Sequence, residues 1–267
     1  MEGAVKLEDF WMIGFGGLVY QIWRIICMTI TKPLHSAICK EKTNQQKRNR
    51  YIERACECTA KMVYKMVVLY WGLHVLKQVG WLPWELGFGG NTSVREQFVE
   101  RPLTEFPYKK PPKVIVEFGM FTAGYNLSEL VRHIFFAEHK SDFMEMMFHH
   151  ICSGMLVIGY LLPNAHVWGA AYVVLHDWSE VFMYMARISQ ATPYDRITVL
   201  SLAGMYISWI WLRLIILPYT MWLVIFEYCP AALSKPETTF EVNFVKGMVF
   251  VLGAMDFLYL YWFILIS

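Results

Sequence analysis

Seven stretches of about twenty mostly apolar residues recur along the chain, and each is long enough to cross the ~30 Å hydrocarbon core of a bilayer as a helix. They run over residues 10–30, 61–82, 114–136, 143–162, 165–189, 197–228 and 244–266. Composition leaves no soluble alternative, because 56% of residues are hydrophobic and only 17% are charged, with a mean hydropathy of +0.35. Soluble domains carry about 25% charged residues, enough to cover a wet surface. The same figures exclude disorder, a collagen-like chain and a small disulfide scaffold. Cys27 and Cys152 fall inside apolar stretches, and Cys56 and Cys58 lack a second pair to close a zinc site. A net charge of +2, scattered along the chain, gives no reason to expect a nucleic-acid partner. The expected fold class is an all-α polytopic membrane protein of about seven transmembrane helices.

Orientation follows from Lys and Arg, which are retained on the cytosolic side of spans. With a lumenal N-terminus, the cytosolic loops 31–56, 137–142 and 187–196 hold ten such residues, more than the opposite loops. This topology puts the acceptor triplet Asn91-Thr92-Ser93 in the lumen, where glycosylation takes place. The first span has acidic residues before it and Arg24 within it, and no small-residue cleavage site follows, so it is expected to stay as an anchor. Residues 31–56 carry seven Lys or Arg and read as a solvated basic loop. Pro102, Pro107, Pro111 and Pro112 mark the lumenal connection as extended. The expected division is residues 1–56, an N-terminal anchor helix and basic loop, and residues 57–267, a domain of six transmembrane helices.

Charges inside spans are expensive, so each needs a partner, a wet cavity or a function. The fourth span places Asp142, Glu145, Met146, His149, Ser153 and Tyr160 on one helical stripe, with His150 at its edge. The fifth groups His176, Asp177, Glu180, Tyr184 and Arg187 within about 100° of arc. The third adds Tyr125, Ser128, Glu129 and Arg132. Three polar stripes on consecutive helices predict a polar chamber. A hydrogen-bonded network that merely fixes packing is the bland alternative, but two His and four carboxyl groups in one cavity are costly for packing alone. Arg24, Arg213, Lys246 and Asp256 are expected outside this cluster, as snorkelling or helix-pairing charges.

A neutral imidazole at such depth can be a nucleophile toward an activated acyl group, a general base or a metal ligand. The eight histidines never fall in i,i+3 or i,i+4 pairs, the spacing that turns two imidazoles to one metal on a helix face, so no metal is expected.

The run Asp142-Phe143-x-Glu145-Met146-x-x-His149-His150, followed by His176-Asp177-x-x-Glu180, resembles the TLC-domain family and specifically its ceramide synthases. Asn164 and Gly169 stand at matching offsets, and the resemblance extends over roughly residues 50–265. The chain departs from the family pattern at Glu180, where the family has Asp, at Val167, Tyr184 and Arg187, and in carrying Gly159-Tyr160 for a Ser-Tyr pair. The resemblance implies one helix followed by a six-helix barrel in the endoplasmic reticulum membrane, multi-pass, with the N-terminus lumenal and the C-terminus cytosolic. It implies N-acylation of a sphingoid base such as sphingosine or sphinganine by fatty acyl-coenzyme A, a co-substrate, with no tightly bound cofactor. Membrane lipids surround the chain, and a homodimer or an accessory membrane subunit would be compatible. His149 would be the nucleophile, with His150 second, its ring oriented by Glu145 or Asp177. Asp177 and His176 would serve as base for the amine, while Asp142 and Glu180 complete the acidic set. Arg132, His139, Lys140, Arg187 and Arg196 would meet the coenzyme A phosphates. Two alternatives are a non-catalytic TLC protein that senses lipid or accompanies a translocon, and an elongase-like condensing enzyme, whose HxxHH box is absent here.

Overall fold

The computed structural model describes residues 10–105, 112–136, 143–161, 166–235 and 239–266. Eight helices account for nearly all of them: α1 (Trp11–Ile38), α2 (Gln45–Gln78), the short α3 (Arg101–Glu105), α4 (Lys113–Phe136), α5 (Phe143–Leu161), α6 (His166–Ser189), α7 (Asp195–Leu233) and α8 (Thr239–Ile266). Among the described residues the only β contact is an isolated bridge between Pro83 and Thr92. The seven long helices coincide with the seven apolar stretches. By apolarity and length alone, α1, α7 and α8 qualify as spans. Of the other four long helices, α4, α5 and α6 are diluted by the polar stripes the sequence predicts, and α2 by its polar first half, residues 45–57.

Large apolar side chains face outward along the bundle; Phe250 and Phe257 are 80% and 78% exposed. Water would not tolerate such a surface over most of a protein, whereas lipid does. The chain is therefore a multi-pass membrane protein.

Two connections differ from expectation. Residues 31–56 are mostly helical, because α1 runs on to Ile38 and α2 starts at Gln45, so the basic segment is a helical hairpin with a turn of only residues 39–44. Hydropathy marks the part of a helix that lipid covers, not where its hydrogen bonds end. Asn44 caps α2 by accepting from the Lys47 N–H. Glu41 accepts from the backbone N–H groups of Asn44 and Thr43, which hold its carboxyl below the usual range. The connection between α2 and α4, expected to be extended, is helical from Glu96 to Glu105, through Pro102. Pro107 and Pro111 lie outside the described residues.

In α7, π-helical turns at Trp209–Ile216 and Val224–Tyr228 precede Pro218 and Pro230. A proline ring crowds the carbonyl one turn back and cannot donate, and a widened turn absorbs both defects without ending the helix.

Helix α1 docks on α4 through glycines. A Cβ on Gly16 would lie 2.6 Å from the Phe121 carbonyl oxygen, and one on Gly124 would collide with the Ile13 carbonyl oxygen. Small residues let the backbones approach where lipid supplies no hydrophobic drive between helices. In the core of the bundle Tyr64 of α2 stacks on Tyr125 of α4 and Tyr20 of α1 meets both edge-on, with ring centroids 4.6–4.9 Å apart.

Candidate active site

Four charges from three helices meet at the centre. Lys65 of α2 donates to Asp177 Oδ1 of α6 at 2.6 Å and lies 3.3 Å from Glu180 Oε2. Arg213 of α7 reaches Glu180 Oε1 at 3.5 Å and donates to the His176 carbonyl oxygen at 2.8 Å. Two carboxylates thus face two cations, which leaves no net charge in the apolar interior. Aromatic faces complete the cations' surroundings, with Lys65 Nζ 4.4 Å from the Tyr125 ring and Arg213 between Trp209 at 4.3 Å and Tyr259 at 4.5 Å. Sequence reasoning put Arg213 outside the cluster, and the structure corrects this. It also singles out Lys65, which lies four residues into the second apolar stretch and reads there as a span edge. Arg24 does pair between helices as expected, with Glu57 at 3.4 Å.

Beside these charges lies an inner cavity of about 110 Å³. One end carries His149, His176, Asp177, Glu180, Lys65 and Tyr259, and the rest is mainly apolar, with Leu156, Val157, Trp168, Val224, Val245 and Met248. His176 Nδ1 lies 2.7 Å from the Tyr172 carbonyl oxygen. A carbonyl only accepts, so Nδ1 carries the proton and Nε2 of the neutral ring carries the lone pair. That Nε2, like Nδ1 of His149, is buried without a hydrogen-bond partner among the described residues.

A second and larger space, about 2330 Å³, opens between α1, α2, α4, α5 and α6. Its walls carry Arg24, Lys32, Lys47, Arg50, Arg54, Lys61, Arg132 and Arg187 against Glu53 and Glu57. Lys61 donates to Glu129 at 2.6 Å, Arg132 forks onto Glu129 with both bonds at 2.9 Å, and Tyr20 donates to the same carboxylate at 2.9 Å. Glu57 gathers Arg24, Lys61 and Arg132. Lys32, Arg50, Arg54 and Arg187 have no carboxylate partner among the described residues. Tyr184 and Arg187 of the α6 stripe line this groove, while His176, Asp177 and Glu180 line the cavity.

The α5 stripe divides in the same way. His149, Ser153 and Tyr160 border the cavity, whereas Met146 and His150 border the groove. The two imidazoles, 5.6 Å apart between ring centroids, were expected to share one acidic pocket; they open into different spaces. His150 faces the His133 ring at 5.2 Å, and His133 in turn lies 3.2 Å from the Phe143 carbonyl oxygen. Nor does a carboxylate orient His149, since Asp177 is held by Lys65 and Glu145 borders neither space and makes no bond to the ring. Aromatic rings hold it instead, Trp262 at 5.5 Å and Tyr259 at 6.1 Å. Of the residues expected to meet phosphate, Arg132 and Arg187 line the groove and Arg196 is exposed away from both spaces. Asp142, His139 and Lys140 lie outside the described residues. Among the described residues no three His, Cys, Asp or Glu side chains are gathered so as to hold a metal ion.

Fold and site together define a polytopic helical-bundle membrane protein with a buried, charge-balanced cavity and a separate basic groove. The TLC-domain family profile matches residues 54–267, and the chain belongs to that family. Among its relatives, ceramide synthase 1 LOH3 of Arabidopsis thaliana is 30% identical over 55% of this chain and 48% of its own length. ASC1-like protein 3 of Oryza sativa subsp. japonica is 24% identical over 79% of this chain and 69% of its own. Ceramide synthase hyl-1 of Caenorhabditis elegans is 21% identical over 79% and 55%. The chain thus spans about half the length of the two ceramide synthases.

Proposed function

We propose that this protein is a ceramide synthase of the endoplasmic reticulum membrane, with its N-terminus lumenal and its C-terminus cytosolic, transferring a fatty acyl group from acyl-coenzyme A to the amine of sphingosine or sphinganine. The observation that carries this reading is the juxtaposition at one end of an apolar cavity of His149 and His176, each with an unpartnered ring nitrogen. A thioester is activated enough for an imidazole to attack, which splits one difficult transfer into two easier ones. His149 nitrogen attacks the thioester carbon, the carbon–sulfur bond breaks, and coenzyme A leaves as its thiol with the imidazole proton. The sphingoid ammonium gives a proton to His176 Nε2, and the freed amine attacks the acyl-imidazole. Its remaining surplus proton returns to the departing His149 ring as the amide forms.

The apolar side chains beyond His149 suit the acyl tail, and the lone pair of His176 Nε2 suits the proton of an arriving ammonium. The basic groove suits the phosphates of coenzyme A, with Arg54 and Arg187 among its unpaired cations and His150 at its inner end. The relatives named ceramide synthase support the same substrates.

The test is direct assay of purified protein with a panel of acyl-coenzyme A donors and long-chain bases. Amide product is expected, together with an acyl mass on the peptide spanning residues 142–155 that hydroxylamine removes. No amide with any donor and base would overturn the reading in favour of a non-catalytic TLC protein. Amide production from a peptide that stays unmodified during turnover would reject the covalent route alone.

A further inference from the structure

Tyr259 of α8 is fully buried and lines the inner cavity, with its ring centroid 5.3 Å from that of His176 and 6.1 Å from that of His149. Its hydroxyl is buried without a hydrogen-bond partner among the described residues. The ring is nevertheless firmly placed: Arg213 lies 4.5 Å from its centroid, Trp209 packs edge-on at 5.8 Å, and Trp262 sits at 6.3 Å. Phenylalanine would satisfy every one of these contacts without burying an unsatisfied donor. A buried hydroxyl that packing does not need, beside two histidines with free ring nitrogens, points to a group that arrives with the substrate.

Resting on the acyltransferase reading above, we propose that Tyr259 is a catalytic residue whose O–H donates to the acyl carbonyl oxygen as it becomes an oxyanion. Both halves of the reaction pass through a tetrahedral carbon bearing such an oxygen. It forms first when His149 adds to the thioester, and again when the amine adds to the acyl-imidazole. In each case the oxygen gains charge as the new bond forms and returns to a carbonyl as sulfur or the imidazole nitrogen departs. The phenol keeps its proton throughout. A donor fixed in a dry site acts more strongly than one in water, and the Arg213 charge behind the ring favours negative charge in front of it.

The experiment uses the full chain and the variant Tyr259→Phe. Acylation of His149 is timed in single turnover without amine, and amide formation is then timed from the preformed adduct. Both rates should fall about a hundred- to a thousand-fold, the range for loss of one oxyanion donor. The melting midpoint should hold or rise, because the lost hydroxyl has no partner. Unchanged rates, or a fall confined to one half-reaction, would overturn the proposal, since a purely structural tyrosine moves neither and a proton donor to one leaving group moves one. Wild-type protein that forms neither adduct nor amide would instead overturn the acyltransferase reading, and this proposal with it.

Discussion

The inner cavity and the basic groove share the helices α2, α4, α5 and α6, yet their electrostatics differ. Inside, Lys65 and Arg213 are matched by Asp177 and Glu180, all nearly enclosed, and every cation has an acidic partner. In the groove cations outnumber acids, and four of them lack a carboxylate partner among the described residues. A balanced set is what a low-dielectric interior permits, because an unpaired charge there costs several kcal/mol. An unbalanced set persists only where water screens it, and it remains available to an anion. The contrast teaches that burial, rather than residue type, separates the residues that hold the bundle together from those free to recruit a ligand. Tyr64 and Tyr125 line the inner cavity, and His149 and His150 open into different spaces.

The largest expected effect comes from separating those two imidazoles. His149→Ala should lower amide formation by about a thousand-fold or more, the scale of losing a covalent nucleophile, and should leave no acyl adduct on residues 142–155. His150→Ala should retain the adduct and act first on KM for acyl-coenzyme A. Equal, total loss of adduct in both variants would show that the division between the spaces has no chemical meaning.

Next in size is the balance of the inner network. Lys65→Met leaves Asp177 without its 2.6 Å partner and should destabilise the protein by about 3–5 kcal/mol, read as a lower unfolding midpoint in detergent. Adding Asp177→Asn should recover part of that loss, because the stranded charge is then gone. A Lys65→Met variant as stable as wild type would mean that the network is already neutral without the lysine.

The smallest effect is expected in the groove. Arg54→Ala and Arg187→Ala concern exposed side chains and should change stability by no more than about 0.5 kcal/mol. They should raise KM for acyl-coenzyme A several-fold each, leave kcat intact, and weaken the salt dependence of KM. A KM indifferent to both substitutions and to salt would return these arginines to the ordinary positive flank of a membrane helix.

Much of this comparison was legible before any coordinates. The seven apolar stretches matched seven long helices, and the α6 stripe of His176, Asp177 and Glu180 did face inward. Where the reading went wrong, the cause was consistent. Residues 31–56 were taken for a loop because hydropathy falls at the lipid boundary, while the backbone hydrogen bonds of α1 and α2 continue past it. Pro102 was taken to mark extended chain, but the helical run continues through it, and the widened turn Glu96–Glu100 just before it absorbs the missing N–H. Arg213 was set apart because its partners lie on α6, over thirty residues back in sequence. Tyr259 was one aromatic among many, and a free hydroxyl has no sequence signature.

From its sequence this chain determined that it must live in a bilayer, which helices carry polar stripes, and that its paired histidines and HDxxE element resemble a lipid acyltransferase. Those features are set by hydrophobicity and by the 3.6-residue period, which are local properties. Tertiary structure alone decided that Lys65 meets Asp177 across 112 residues, and that Arg213 closes the charge balance. It also decided that His149 and His150 serve different spaces. Consecutive residues on a helix point about 100° apart, so period fixes their divergence, but only the packing of neighbouring helices fixes what each of them faces.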